Sequence, residues 1–212
     1  MDQIGQLKQE YSSKKNKIKE RLQQFEKFFN EPYSWFYRNG ELVLLSVETK
    51  DDCRIFEELA FCIFTANTSA EMGAKAVDSV RNVLINGTAD EMTRRLEGIY
   101  RFNNVRPAYI THTRNYLKNA LNFKLKDKVK SFKNKYELRD FFALNKDIKG
   151  IGLKEASHFL RNIGFKDYAV VDFHRNILEV KSSKKLNIEI ITKEVFKFGK
   201  PVLIGTDVFK TP

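Results

Sequence analysis

Residues 147–178 read D-I-K-G-I-G-L-K-E-A-S-H-F-L-R-N-I-G-F-K-D-Y-A-V-V-D-F-H-R-N-I-L. Their pattern predicts a helix ending near Asp147, the turn Lys149-Gly150-Ile151-Gly152, and a second helix over 153–163. Gly150 and Gly152 leave backbone N–H groups without flanking β-carbons at a helix N-terminus, where unpaired donors and the positive end of the helix dipole point outward. Such an arrangement suits a phosphate. A plain interhelical turn is written the same way. Ile148 and Ile151 are expected to anchor the turn in the core. Lys154 falls in the first turn of the second helix, and the apolar string Ala169-Val170-Val171 delivers Asp172 at its end.

Working outward, residues 136–147 complete the first helix. Before it, Lys124, Lys126, Lys128, Lys130, Lys133 and Lys135 make a lysine-dense segment that reads either as a solvated connector or as a DNA contact. Helices are predicted from about Pro107, suited to a first turn, to Leu121, over Thr88–Leu96 with Thr88 as N-cap, and over 71–85. Residues 53–66 are apolar on nearly every side, the mark of a central core helix. Residues 6–30 read as an amphipathic helix whose Ile18, Leu22, Phe25 and Phe29 share one face. Between them, Trp35 to Val47 carries Asn39-Gly40 flanked by β-formers, a hairpin signal. The chain is therefore mainly α, with a small N-terminal β-hairpin.

The composition is that of an ordinary globular protein, with 42% apolar and 31% charged residues among 212. Lys and Arg number 38 against 27 Asp and Glu, a net charge of +11. That excess favours polyanions through field and counterion release, yet also fits a merely basic surface. Cys53 and Cys62 are too few for a four-cysteine zinc or iron–sulfur site and read as small buried hydrophobes. No secretory leader is expected at the N-terminus, and no apolar run approaches the roughly 18 residues of a membrane span. An intracellular, cytoplasmic protein is expected.

The run K-G-I-G-L-K-E-A-S-H-F-L-R-N-I-G followed by A-V-V-D-F-H resembles the helix-hairpin-helix DNA glycosylase superfamily, within it the archaeal-type 8-oxoguanine DNA glycosylase/AP lyase. The segments F-C-I-F-T-A-N-T-S-A (61–70) and R-F-N-N-V-R-P-A-Y-I (101–110) are similar to that family's paired DNA-facing segments, so the resemblance covers about residues 53–178. It implies two closely packed helical lobes forming one unit over 1–212, with the helix-hairpin-helix motif at about 141–163. It also implies that Lys154 is the nucleophile. Its amine, neutral at the moment of attack, displaces the damaged base and forms a Schiff base, and β-elimination then cuts the strand. Asp172 would stabilise positive charge on the sugar. His174 matches a phosphate-touching histidine, though a helix-cap or core role is equally open. Asn67, Arg101, Phe102 and Arg106 match positions that fill the gap left by an extruded nucleotide. Phe102 would stack and Arg106 would meet the orphaned cytosine, while core packing remains the other reading of Phe102.

The chemistry requires no cofactor and no metal. The partner implied is double-stranded DNA containing a damaged base, without a membrane or an obligate protein partner. The resemblance departs at Phe173, which replaces an arginine-like residue, and in the tail, about 179–212, where the sequence closes on Phe209-Lys210-Thr211-Pro212 rather than lysine. The family distinguishes the oxidised base through that region, so base specificity stays open. A non-catalytic helix-hairpin-helix DNA-binding module, and a lyase or glycosylase for another damaged base, are the alternatives.

Overall fold

The computed structural model describes residues 3–31, 33–38, 41–46 and 50–168. Helix α1 spans Gln3–Glu26, strands β1 and β2 span Tyr33–Arg38 and Glu41–Ser46, and helices α2 to α8 follow. The strands pair antiparallel, Tyr33 opposite Ser46 and Arg38 opposite Glu41. The Asn39-Gly40 turn expected between them lies outside the described residues.

Helix α2, Asp51–Thr65, is the hub that its all-round apolar pattern predicts. Ile55, Phe56, Leu59, Ala60, Cys62, Ile63 and Phe64 are fully buried, and α3 (Ala70–Val80), α5 (Arg106–Leu121), α6 (Leu125–Ser131) and α8 (Leu153–Asn162) pack around them. Burying each large apolar side chain stabilises the fold by about 1.5–3 kcal/mol. Cys62 behaves as the expected hydrophobe, its thiol pushed well up in pKa by burial. Cys53 is only partly covered.

Helix α1 stops earlier than its sequence predicts. The side chain of Arg54, buried in α2, donates to the carbonyls of Phe28 at 2.7 Å and Glu31 at 3.1 Å. That distant donor holds 27–31 in turns; Phe25 and Phe28 are buried, and Ile18 is exposed instead of on a covered face. Likewise α3, Ala70–Val80, tightens into a 3₁₀ turn at Arg81–Val83 instead of running to 85. Helix α4, Ala89–Leu96, begins as expected at Thr88. The Thr88 hydroxyl accepts the Glu91 N–H at 3.1 Å, and the Glu91 carboxylate accepts the Thr88 N–H at 2.7 Å.

The lysine-dense segment is not a plain connector. It holds α6, Leu125–Ser131, whose Leu125 and Val129 are fully buried one turn apart. Asp52 caps it by accepting the Lys126 N–H at 2.7 Å, and Lys126 pairs with Asp51. Lys128 lies over Phe132 and Phe141, and Lys130 over Phe29. The lysine ammonium groups thus lie over aromatic faces as cation–π partners.

Helix α5, Arg106–Leu121, starts with Pro107 in its first turn. Helices α7, Lys135–Ala143, and α8, Leu153–Asn162, pack on each other through Phe142 and Phe159, ring centroids 4.8 Å apart. Helix α7 is shorter than predicted because Asn145 turns the chain, its side chain accepting the Asp147 N–H at 3.0 Å. No helix among the described residues is long and apolar enough to cross a membrane.

Candidate active site

The turn joining α7 to α8 is fixed from both ends. Ile148 and Ile151 are buried, as their placement predicts. The Lys149 N–H donates to Thr113 Oγ1 at 2.8 Å, tying the turn to α5. Asn145 donates to the Tyr116 hydroxyl at 2.9 Å, a second tie to the same helix. Gly150 has φ +76°, a conformation that a side chain rarely adopts. A β-carbon there would also stand 2.7 Å from the Tyr109 ring and 3.1 Å from Arg106 Nη1. Gly150 therefore sits where a side chain would collide with its neighbours, whereas a β-carbon at Gly152 would meet Glu155 Oε2 only at 3.4 Å.

Gly152 is the N-cap of α8. Its N–H donates to Glu155 Oε2 at 3.2 Å, and Glu155 Oε1 stands 3.5 Å from Lys154 Nζ. Lys154 lies in the first turn, as the sequence places it, with its side chain 32% exposed. The amine is thus reachable from solvent but stands on the rigid first turn of a helix. One turn on, His158 packs edge-on against Phe61 at 5.8 Å. Burial, with the nearby charges of Arg161 and Lys154, pushes its pKa down to about 3, so a neutral imidazole stands beside the lysine. Sequence reasoning passed over His158. The signal was its spacing: four residues after Lys154 puts it on the same helix face.

The second group of expected residues also converges. Asn67 is exposed with φ 61°, and its carbonyl accepts from Arg101 Nη2 at 3.0 Å. The Arg101 guanidinium lies 4.3 Å from the centroid of Phe102. Phe102 is half-buried against Tyr100, which combines the two readings of it: part of the ring packs on the core while part stays accessible. Arg106 differs from an outward-reaching side chain. It is 9% exposed, lies between the rings of Phe102 and Tyr109, and donates to the Ala66 carbonyl at 3.1 Å. Its Nη1 also borders Gly150. The structure therefore brings Asn67, Arg101, Phe102, Arg106 and Gly150 together, while the neighbour of Gly152 is Glu155. Asp172 and His174 lie outside the described residues.

A model of the Ogg-HhH family, described as 8-oxoguanine DNA glycosylase, matches residues 42–198. The chain belongs to the 8-oxoguanine DNA glycosylase family. It is 40% identical over 130 residues to an 8-oxoguanine DNA glycosylase/AP lyase from Methanocaldococcus jannaschii, a match covering 61% of this chain and 59% of that relative. The match thus spans about three-fifths of that relative's length. A similarly named protein of Aquifex aeolicus is 31% identical over 201 residues, covering 92% of this chain and 84% of the relative. The Methanocaldococcus jannaschii 8-oxoguanine glycosylase/lyase crystallised with a 15mer DNA containing 8-oxoguanine superposes with a TM-score of 0.62 at 30% identity, covering 86% of this chain and 82% of that one. The helical fold is that of this family.

Proposed function

We propose that this chain excises 8-oxoguanine from double-stranded DNA and then cuts the abasic strand, as a bifunctional DNA N-glycosylase and lyase. One observation carries the reading: in a chain of the 8-oxoguanine DNA glycosylase family, the turn that holds Gly150 at a positive φ leads through Gly152 directly into a helix whose first turn presents the Lys154 amine.

The turn grips a phosphate through backbone N–H groups at the start of α8. That grip sets the strand beside Lys154. The neutral amine attacks the anomeric carbon of the deoxyribose, the glycosidic bond breaks, and the base departs with its electron pair. Ring opening then breaks the C1′–O4′ bond, O4′ taking the proton that the amine gives up, and leaves a Schiff base that makes the adjacent sugar proton acidic, so that β-elimination expels the 3′ phosphate and cleaves the strand. Asp172 stabilises the positive charge that develops on the sugar, and His174 holds a neighbouring phosphate. Asn67, Arg101 and Phe102 fill the space left by the extruded nucleotide, offsetting part of the few kcal/mol that extrusion costs. Arg106 belongs to the same DNA-binding side. The whole chain, 1–212, forms one helix-hairpin-helix unit of two closely packed helical lobes with a small N-terminal β-hairpin. It works on chromosomal DNA inside the cell, without an obligate protein partner.

Borohydride trapping tests the proposal. Protein is mixed with duplexes carrying 8-oxoguanine or an abasic site, and borohydride is added. The proposal requires a covalent adduct with both duplexes, absent in Lys154→Gln. An adduct with the abasic duplex alone would assign the chain to another damaged base. No adduct with either would leave a DNA-binding module.

A further inference from the structure

Arg106 is a charged side chain in a place that solvent hardly reaches, 9% exposed. Its guanidinium spans three parts of the site. Nη2 donates to the carbonyl of Ala66, the residue before exposed Asn67. Nη1 stands 3.1 Å from where a β-carbon of Gly150 would be, so this close approach exists only because that residue is glycine. The cationic plane lies 5.3 Å from the Phe102 centroid and 5.6 Å from that of Tyr109. Nε has no hydrogen-bond partner among the described residues. The group is held at Nη2 by the Ala66 carbonyl, by its side-chain interaction with Tyr100 and by the two rings, while Nη1 only borders Gly150.

An arginine placed this way is poorly set to reach a base edge. Reaching outward would give up the Ala66 bond and both ring faces. It is well set to transmit position, because the segment that fills the duplex and the turn that precedes the nucleophile both rest on it. We infer that Arg106 is a positioning residue that couples the gap-filling segment at Ala66–Asn67 and Phe102 to the glycine turn ahead of Lys154. This inference rests on the glycosylase reading above. Extruding a paired nucleotide moves Asn67 and Phe102 into the stack, and the Arg106 guanidinium carries the Gly150 turn with them, so the sugar arrives at Lys154 in register. A sugar that has already lost its base needs less of this coupling, because little must be unstacked to expose it. Misplacement of the reacting groups by about an ångström is enough to slow chemistry by about a hundredfold.

The test compares single-turnover rates of wild type, Arg106→Met and Arg106→Lys on two duplexes, one with 8-oxoguanine opposite cytosine and one with an abasic site opposite cytosine. Thermal melts establish that each variant is folded. The readout is the ratio of the 8-oxoguanine rate to the abasic rate. Arg106→Met lowers that ratio by about tenfold or more, and Arg106→Lys, which keeps a cation between the rings and one donor for Ala66, recovers part of it. A ratio equal to wild type in a folded variant, whether both rates fall together or neither does, overturns the inference. If Arg106→Met does not fold, the Arg106→Lys ratio alone decides: a fall supports the coupling and an unchanged ratio overturns it. Wild-type protein inactive on both duplexes would overturn the glycosylase reading itself, and the coupling with it.

Discussion

The backbone N–H of Lys149 donates to the fully buried Thr113 hydroxyl over 2.8 Å, so the turn that leads to Lys154 is pinned to the middle of α5. Thr113→Val keeps the shape and removes the acceptor. Losing one such bond costs about 1 kcal/mol, which for a domain of this size lowers the melting temperature by about 2–4 °C. DNA binding weakens along with it, while Thr113→Ser keeps both near wild type. Calorimetry and a DNA titration at fixed salt check this, and a Thr113→Val protein that melts and binds like wild type would remove the pin from the account.

Gly150→Ala combines two penalties. The substituted residue must hold φ +76°, and its β-carbon meets the Tyr109 ring at 2.7 Å and Ile63 Cγ2 at 3.2 Å. A loss of about 1–3 kcal/mol is expected from strain and crowding together. Denaturant unfolding measures it. Gly98, at φ +70° with open space around it, is the control: its alanine variant carries the strain without the crowding and loses less.

How far the sequence disclosed this site depends on the range of the forces involved. The glycine turn, its buried isoleucines and the placement of Lys154 are written in adjacent residues, so they were legible. Core helix α2 was legible because Ile55 to Phe64, apart from Glu57 and Glu58, are apolar on nearly every face. The early end of α1 was not, because Arg54, distant in sequence, captures the carbonyls of Phe28 and Glu31. Helix α6 hid among lysines because only Leu125 and Val129 mark its covered side, and its cap comes from Asp52. The inward orientation of Arg106 was equally hidden, since its partners Ala66, Phe102, Tyr109 and Gly150 come from three separate segments. Asp172 and His174, read from the sequence, lie outside the described residues.

Asp172→Asn tests the electrostatic half of the proposed chemistry. The amide keeps the size of the carboxylate and removes its charge. Binding to an 8-oxoguanine duplex is expected to stay near wild type, while single-turnover excision slows by about a hundredfold or more, the scale of losing a well-placed charge-stabilising group. Excision at the wild-type rate would take Asp172 out of the mechanism.

His158 gives the fold a pH dependence of its own. The unfolded chain takes up this proton near pH 6.5 and the folded chain only near 3. Between those values the unfolded state holds more protons, so stability falls as pH drops through that window and is fully present above it. Urea midpoints at pH 7 and pH 4.5 read the effect. His158→Asn should flatten the difference between them, and an unchanged difference would mean that the imidazole takes up its proton inside the fold.

The central claim is that the Lys154 amine forms the covalent bond to DNA. After borohydride reduction with an abasic duplex and nuclease trimming, trypsin digestion and mass spectrometry locate the sugar remnant. The account predicts a modified peptide running from Gly150 to Arg161, uncut after Lys154 because a substituted amine blocks trypsin there. A remnant on Lys149, or on any lysine of the 124–135 segment, would contradict it.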